Sequence, residues 1–213
     1  MSESRLPPDD VIRVRVKGEL RKRLRGLRMT MPADACAKRS VRIVERLAAH
    51  PSVVAAKSVA LFWPIVEKHE IDLRPLDASL RARGVSIAYP AIDPETRLMT
   101  FRFAAESDLD ERGFGFREPH LTAREAVRGD LDVIIVPAIA LDPTGHRIGY
   151  GAGFYDRTLP LFSPPAIAIG VAYDFQLVAE VPFTQHDVAL PFVVTDGREL
   201  VVALDPSSLR SSG

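Results

Sequence analysis

The chain has 213 residues, 46% of them hydrophobic and 26% charged, with 28 Lys+Arg set against 28 Asp+Glu. That length suits one compact domain with a substantial core, and the composition excludes intrinsic disorder and any overall electrostatic preference for nucleic acid or membrane. Cys36 is the only cysteine, which excludes an intrachain disulfide framework and makes a reducing compartment and a small buried thiol the simplest expectation.

The N-terminus, MSESRLPPDD, is polar and acidic and has no apolar signal-like core. No stretch approaches the roughly 18 apolar residues of a membrane span, so a cytoplasmic protein with no membrane partner is expected. Polar tails are expected at about 1–10 and 204–213, flanking a single domain. A helical stripe then runs from Val16 through Leu20, Leu24 and Leu27. Between Arg13 and Arg28 lie eight Lys or Arg and one acid, Glu19, which raises the possibility of an RNA or membrane patch. The first 50 residues contain no Phe, Tyr or Trp for stacking on bases, which disfavours RNA, and no nucleic-acid partner is expected. At about 100° per residue, Arg13 and Lys17 extend the apolar stripe toward the protein body, whereas Arg15, Lys22 and Arg25 point elsewhere. Inward charges need partners: a bound polyphosphate, a carboxylate, or escape to solvent at the helix end all satisfy the spacing.

A second helix uses Val41, Val44 and Leu47, with Pro32 near its start and Pro51 beyond its end. Ser58 to Trp63 reads as a buried strand, a helix runs from about Asp72 to Arg83 and stops at Gly84, and Val85 to Pro90 is the next strand. Strand, helix, strand is the βαβ unit of a parallel sheet. Asp93-Pro94 marks a turn, and LMTFRF alternates like an edge strand completing a hairpin. Leu131 to Ala140 is the most apolar run and the expected central strand. A helix from near Gly153 is expected to end before Pro160, with strands around Ile167 to Val171 and, last, Pro191 to Thr195. The fold class is α/β: three layers, with an open, mostly parallel sheet between helices.

Gly149, Gly151 and Gly153 alternate within RIGYGAGFYDR, Arg147 to Arg157. Such spacing lets the backbone take positive φ and approach an anion closely, and the helix starting near Gly153 adds the free N–H groups of its first turn. Three alternate glycines alone fit a surface turn equally well. The Walker A and dinucleotide-binding spacings are both absent. Asp156 falls in the first turn of that helix, which suits a helix-start acid and equally a Mg²⁺ ligand beside polyphosphate. Asp187, in QHD, is a candidate second carboxylate.

Together, RVRVKGELRKRLR, EID at Glu70 to Asp72, GFGFREP at Gly113 to Pro119, DLDVIIVPAIALDPTGHRIGYGAGFYDRTLP and His186-Asp187 resemble the 5-formyltetrahydrofolate cyclo-ligase family over nearly the whole chain. The resemblance implies an ATP- and Mg²⁺-dependent ring closure of 5-formyltetrahydrofolate to 5,10-methenyltetrahydrofolate, by an enzyme acting as a monomer. By motif it implies that Arg13 and Lys17 contact ATP phosphates, with Lys17 and Arg147 acting in catalysis. Arg147, Ile148, Gly149, Tyr150, Gly151, Ala152, Gly153, Phe154, Tyr155 and Arg157 would surround the nucleotide, and Asp156 and Asp187 would serve Mg²⁺. Glu70, Phe114, Tyr150 and Tyr155 would meet the folate; without the resemblance, Glu70 reads as a helix cap and Phe114 as a core aromatic. The chain departs from the family pattern in reversing the usual Lys-then-Arg order at Arg13 and Lys17, in a longer Pro64 to Glu70 segment, and in Leu73 after EID. A nucleotide-binding relative with a changed substrate is therefore the alternative reading.

Overall fold

The computed structural model describes residues 8–113 and 115–203. Phe114, and the expected tails apart from residues 8–10, lie outside them; those three residues open the first helix rather than belonging to a tail. Helix α1 spans Pro8–Thr30, earlier than the apolar stripe suggests, with Asp9 and Asp10 in its first turn where carboxylates favour the helix dipole. Helix α2, Ala33–Ala49, buries Cys36, Ser40, Ile43 and Leu47, while Val41 is exposed, so its inner face is rotated from the expected one. Ser40 causes part of that rotation: its hydroxyl meets the Tyr173 hydroxyl at 3.1 Å and accepts from the Asp72 N–H at 3.1 Å. Pro51 does more than stop α2. It opens a short helix α3, Pro51–Ala55, where a proline's missing N–H costs nothing.

Strand β1, Ser58–Ala60, is followed by α4, Arg74–Ala82, which closes at Gly84 with φ +79°. Strand β2, Ser86–Ile92, pairs antiparallel with β3, Met99–Phe103, as the Asp-Pro turn predicts. A small ribbon, β4 (Leu109–Glu111) with β5 (Arg117–Pro119), comes next. Then follow β6, Val133–Pro137, and a short hairpin of β7, Ala140–Leu141, with β8, Arg147–Ile148. Helix α5, Phe154–Phe162, runs through Pro160 instead of ending before it. Leu159 and Phe162 are buried around the proline, and the Ser163 N–H still reaches Leu159 O at 2.8 Å, so packing holds the last turn. Strands β9, Ile167–Val171, and β10, Phe192–Val194, complete the parallel set, and β11, Glu199–Val201, adds an antiparallel strand beyond the expected last one.

The main sheet has seven strands in the order β11-β10-β9-β6-β1-β2-β3, with β10, β9, β6, β1 and β2 parallel and an antiparallel strand at each edge. Alternate residues feed two cores. Val59, Ile87, Ile135 and Ile169 pack with Ile43 and Leu47 of α2 and Leu76 and Leu80 of α4; Ala60, Ala88, Ile134 and Ala168 pack with Leu159 and Phe162 of α5. The three layers are as the sequence predicts. A third cluster, Leu24 with Ile139, Ala140, Ile148 and Val181, seats α1 against the β7–β8 hairpin.

After β1 the chain first adds β2 on one side and later returns to place β6 on the other, so the sheet reverses direction of growth between β1 and β6. In open α/β sheets a crevice forms outside the carboxyl ends of the strands at such a reversal.

Candidate active site

The crevice is occupied by a cavity of about 580 Å³. Its floor comes from the strand ends: Phe62, Trp63 and Ile65 after β1, Pro90 and Ile92 of β2, and Pro137 of β6. One wall is the loop Gly149 to Gly153 leading into α5, and beside it stands α1, which lines the cavity through Val14, Lys17 and Arg21. The sequence-predicted residues Lys17, Glu70, Arg147 to Asp156 and Asp187 all line this one space. Arg13 and Arg157 stand outside that lining, Arg13 donating to Phe183 O at 2.9 Å and Arg157 to Ala152 O at 2.9 Å.

Within the loop, Gly151 (φ +106°) and Gly153 (φ +67°) take the left-handed conformation that glycine permits, whereas Gly149 does not. The loop's backbone N–H groups donate to no other described residue, while its carbonyls are tied back: Gly149 O accepts from Arg21 Nε at 2.8 Å. Gly153 caps α5, which places Asp156 in the helix's first turn, as expected.

Charge in the cavity is arranged in pairs. Lys17 Nζ lies 2.5 Å from Asp187, whose carboxylate also accepts from the Thr184 N–H at 2.6 Å. Burial pushes the Asp187 carboxyl upward, but the Lys17 and Thr184 hydrogen bonds overcome it and hold its pKa below the ordinary carboxylate value. Arg147, almost wholly buried, meets Asp156 at 2.9 Å and Val188 O at 3.2 Å. Tyr155 lies beside that guanidinium, 6.0 Å from ring centroid to Arg147 Cζ, and its buried hydroxyl has no hydrogen-bond partner among the described residues. Burial pushes that phenol up, against the pull of Arg147.

Glu70 is no helix cap. Helix α4 has Leu73 at its N-cap with no side-chain cap, and Asp72, one residue earlier, accepts from the Arg74 N–H at 3.1 Å. The longer Pro64 to Glu70 segment winds into a 3₁₀ turn, Val66–Lys68, with His69 left-handed at φ 52°, and this folds Glu70 back so that its Oε2 accepts from the Ile65 N–H at 2.9 Å. Its Oε1 accepts a hydrogen bond from the Tyr150 hydroxyl. Arg28 donates to that same hydroxyl at 2.8 Å and stands 3.6 Å from Glu70. Burial, then the Glu70 charge, push the Tyr150 phenol up to about 12.

Arg21 and Arg28 are the residues that the sequence reading missed. Both lie on the stripe already identified, Arg21 four residues after Lys17 and Arg28 four after Leu24, so continuing the same helical wheel finds them. Leu27 and Val16, counted on that stripe, are exposed instead, because cationic side chains take the inward positions.

Among the described residues no three His, Cys, Asp or Glu side chains converge as a metal cluster, and no helix is long and apolar enough to cross a membrane. A glycine loop, paired cations and carboxylates meet at the switch point of a doubly wound sheet, the place where open α/β enzymes bind their ligands. A model of the 5-formyltetrahydrofolate cyclo-ligase family matches residues 13–196. The 5-formyltetrahydrofolate cyclo-ligase of Escherichia coli K12 is 34% identical over 157 residues, covering 72% of this chain and 85% of that protein. That of Haemophilus influenzae is 32% identical over 139 residues, 63% of this chain and 73% of that one. The solution structure of Aquifex aeolicus 5,10-methenyltetrahydrofolate synthetase matches with a TM-score of 0.77 at 28% identity, over 89% of this chain and 94% of that chain. The chain belongs to the 5-formyltetrahydrofolate cyclo-ligase family and is an enzyme of that ligase activity.

Proposed function

We propose that this enzyme closes 5-formyltetrahydrofolate to 5,10-methenyltetrahydrofolate with ATP and Mg²⁺, releasing ADP and phosphate, and that nucleotide and folate share the cavity at the β1/β6 switch point. The observation that carries this reading is that one cavity brings Lys17, Arg147 and the glycine loop together with a shielded carboxylate, Glu70, and the aromatic side chains of Phe62 and Trp63. It acts as a monomer in the cytoplasm on this reading, consistent with a lone, buried cysteine.

The formyl oxygen is a poor leaving group as oxide or hydroxide. Its attack on the γ-phosphorus breaks the bond to ADP and turns it into a phosphate ester. N10 then adds to the activated formyl carbon, losing its proton, and phosphate departs with the former formyl oxygen. Lys17, Arg13 and Arg147 oppose the phosphate charge, the segment Arg147 to Tyr155 with Arg157 surrounds the nucleotide, and positioning with charge neutralisation supplies the catalysis. Glu70, Tyr150 and Tyr155 form the folate side.

Asp156 and Asp187 have the hard oxygen donors that Mg²⁺ takes, and a Mg²⁺–polyphosphate complex needs only one or two protein carboxylates, so this pair fits. A bound Mg²⁺ there would neutralise phosphate charge. The two ion pairs suit this exchange: phosphate oxygens replace the carboxylates on Lys17 and Arg147, freeing Asp187 and Asp156.

Turnover of 5-formyltetrahydrofolate by the purified protein, with ATP and Mg²⁺, tests the reading together with binding to two variants. Asp156→Asn should keep folate affinity and lose most turnover, since an amide is a poor Mg²⁺ ligand. Glu70→Gln should weaken folate by about tenfold or more while leaving ATP affinity intact, the loss of a hydrogen bond to a charged acceptor. Wild-type protein that binds ATP yet neither binds nor turns over 5-formyltetrahydrofolate would overturn the folate assignment in favour of a changed substrate.

A further inference from the structure

Tyr150 belongs to the nucleotide wall by sequence and to the folate wall by contact. Its backbone lies between Gly149 and Gly151, while its hydroxyl donates to Glu70 Oε1, eighty positions earlier in the chain. Behind both stands Arg28, 5% exposed, which donates to the Tyr150 hydroxyl at 2.8 Å and lies 3.6 Å from Glu70. Glu70 Oε2 is already engaged by the Ile65 N–H at 2.9 Å. The carboxylate that the function reading assigns to folate is therefore capped on both oxygens by the protein itself.

We propose that Tyr150 is a coupling element: its hydroxyl caps Glu70, and nucleotide binding to the glycine loop withdraws that cap, so that nucleotide tightens folate binding. The inference rests on the reading of Glu70 as the folate acid. Its physical basis is short leverage. Tyr150 shares its two peptide groups with Gly149 and Gly151, so a loop drawn onto phosphates by its N–H groups carries the phenol with it, and a shift of about 1 Å is enough to end a hydrogen bond. Glycine on both sides leaves the backbone free to make that shift. Arg28 is the positioning residue. It stays on α1, seated by Leu24, and keeps a cation beside Glu70 after the cap leaves. Tyr150 is held from two further directions, with Arg25 Cζ 5.5 Å and Lys68 Nζ 5.7 Å from its ring centroid, which favours the capped position.

Coupling free energies are reciprocal, so each ligand must tighten the other by the same factor, about fivefold or more for an effect of ordinary size. Calorimetry with 5-formyltetrahydrofolate, in the presence and absence of a non-hydrolysable ATP analogue with Mg²⁺, measures that factor directly. Wild type should show it. Tyr150→Phe, which keeps the ring and removes the cap, should bind folate in the absence of nucleotide about as tightly as wild type does in its presence, and the factor should fall to near one. Arg28→Lys should keep the coupling while Arg28→Met weakens folate in both states. A Tyr150→Phe protein that couples the ligands as wild type does, or a wild type that binds both with no mutual effect, overturns the coupling and leaves the function reading standing. A wild type that binds nucleotide but no folate overturns both.

Discussion

Gly151 holds φ at +106°, and a Cβ built there meets Arg21 Cζ at 3.4 Å, so any side chain brings backbone strain of about 1–3 kcal/mol as well as bulk toward the α1 wall. The strain falls on a surface loop rather than on either sheet core. Gly151→Val is expected to fold, to lose ATP affinity, and to keep its circular dichroism spectrum; unchanged affinity in a folded variant would mean that the phosphates lie elsewhere. A second contrast sits on α1. Lys17 faces the cavity and Asp187, whereas Lys22 is exposed, so Lys17→Ala should raise the Michaelis constant for ATP by about tenfold or more and Lys22→Ala should leave it nearly unchanged. Equal effects would make the helix a diffuse basic patch. Asp187 also sets a pH dependence. Its folded pKa is depressed, so the native state binds fewer protons than the unfolded chain, and its contribution is full above the ordinary carboxylate range and is lost as pH falls through the folded value. The melting temperatures of wild type and Asp187→Asn should therefore differ at neutral pH and converge in acid, and a gap that persists in acid would assign the difference to packing.

Among the elements, α1 rests on a small apolar seat for its role. Among the described residues the Leu24 cluster seats it on the β7–β8 hairpin, and it supplies Lys17, Arg21 and Arg28 to the site. Leu24→Ala, at about 2–5 kcal/mol for a buried leucine, should loosen α1 selectively. Hydrogen exchange should show faster exchange in α1 with the sheet protected as before, and uniform acceleration would show that α1 and the sheet unfold as one unit. The stripe of α1 was readable as far as Lys17 and Leu24 because apolar spacing marks it. Arg21 and Arg28 on the same stripe were not, since a cation in a basic helix looks solvated until its partners, Gly149 O and Tyr150, arrive from more than 120 positions away. Pro160 misled for a related reason: a local helix-breaking signal was outweighed by burial of Leu159 and Phe162, which only the assembled layer supplies.

For the molecule as a whole, the five long apolar runs announced the parallel strands, because a strand buried on both faces reads as continuous hydrophobicity. The short hairpins and β11 carried too few residues to show a period, and strand order was not legible, since nothing local says that β6 returns beside β1. The loop and its acids were legible as types; their meeting across the crevice was not. The ion pairs that line the cavity bear on how turnover ends. Inorganic phosphate is a small, compact anion, and a site of bare cations would trap it. On the proposed function, Asp187 and Asp156 would reclaim Lys17 and Arg147 once the folate product and phosphate separate, so phosphate would have to compete with two tethered carboxylates to remain. Asp187→Ala should accordingly bind inorganic phosphate more tightly than wild type in a calorimetric titration; equal affinity would show that the exit of phosphate owes nothing to these pairs.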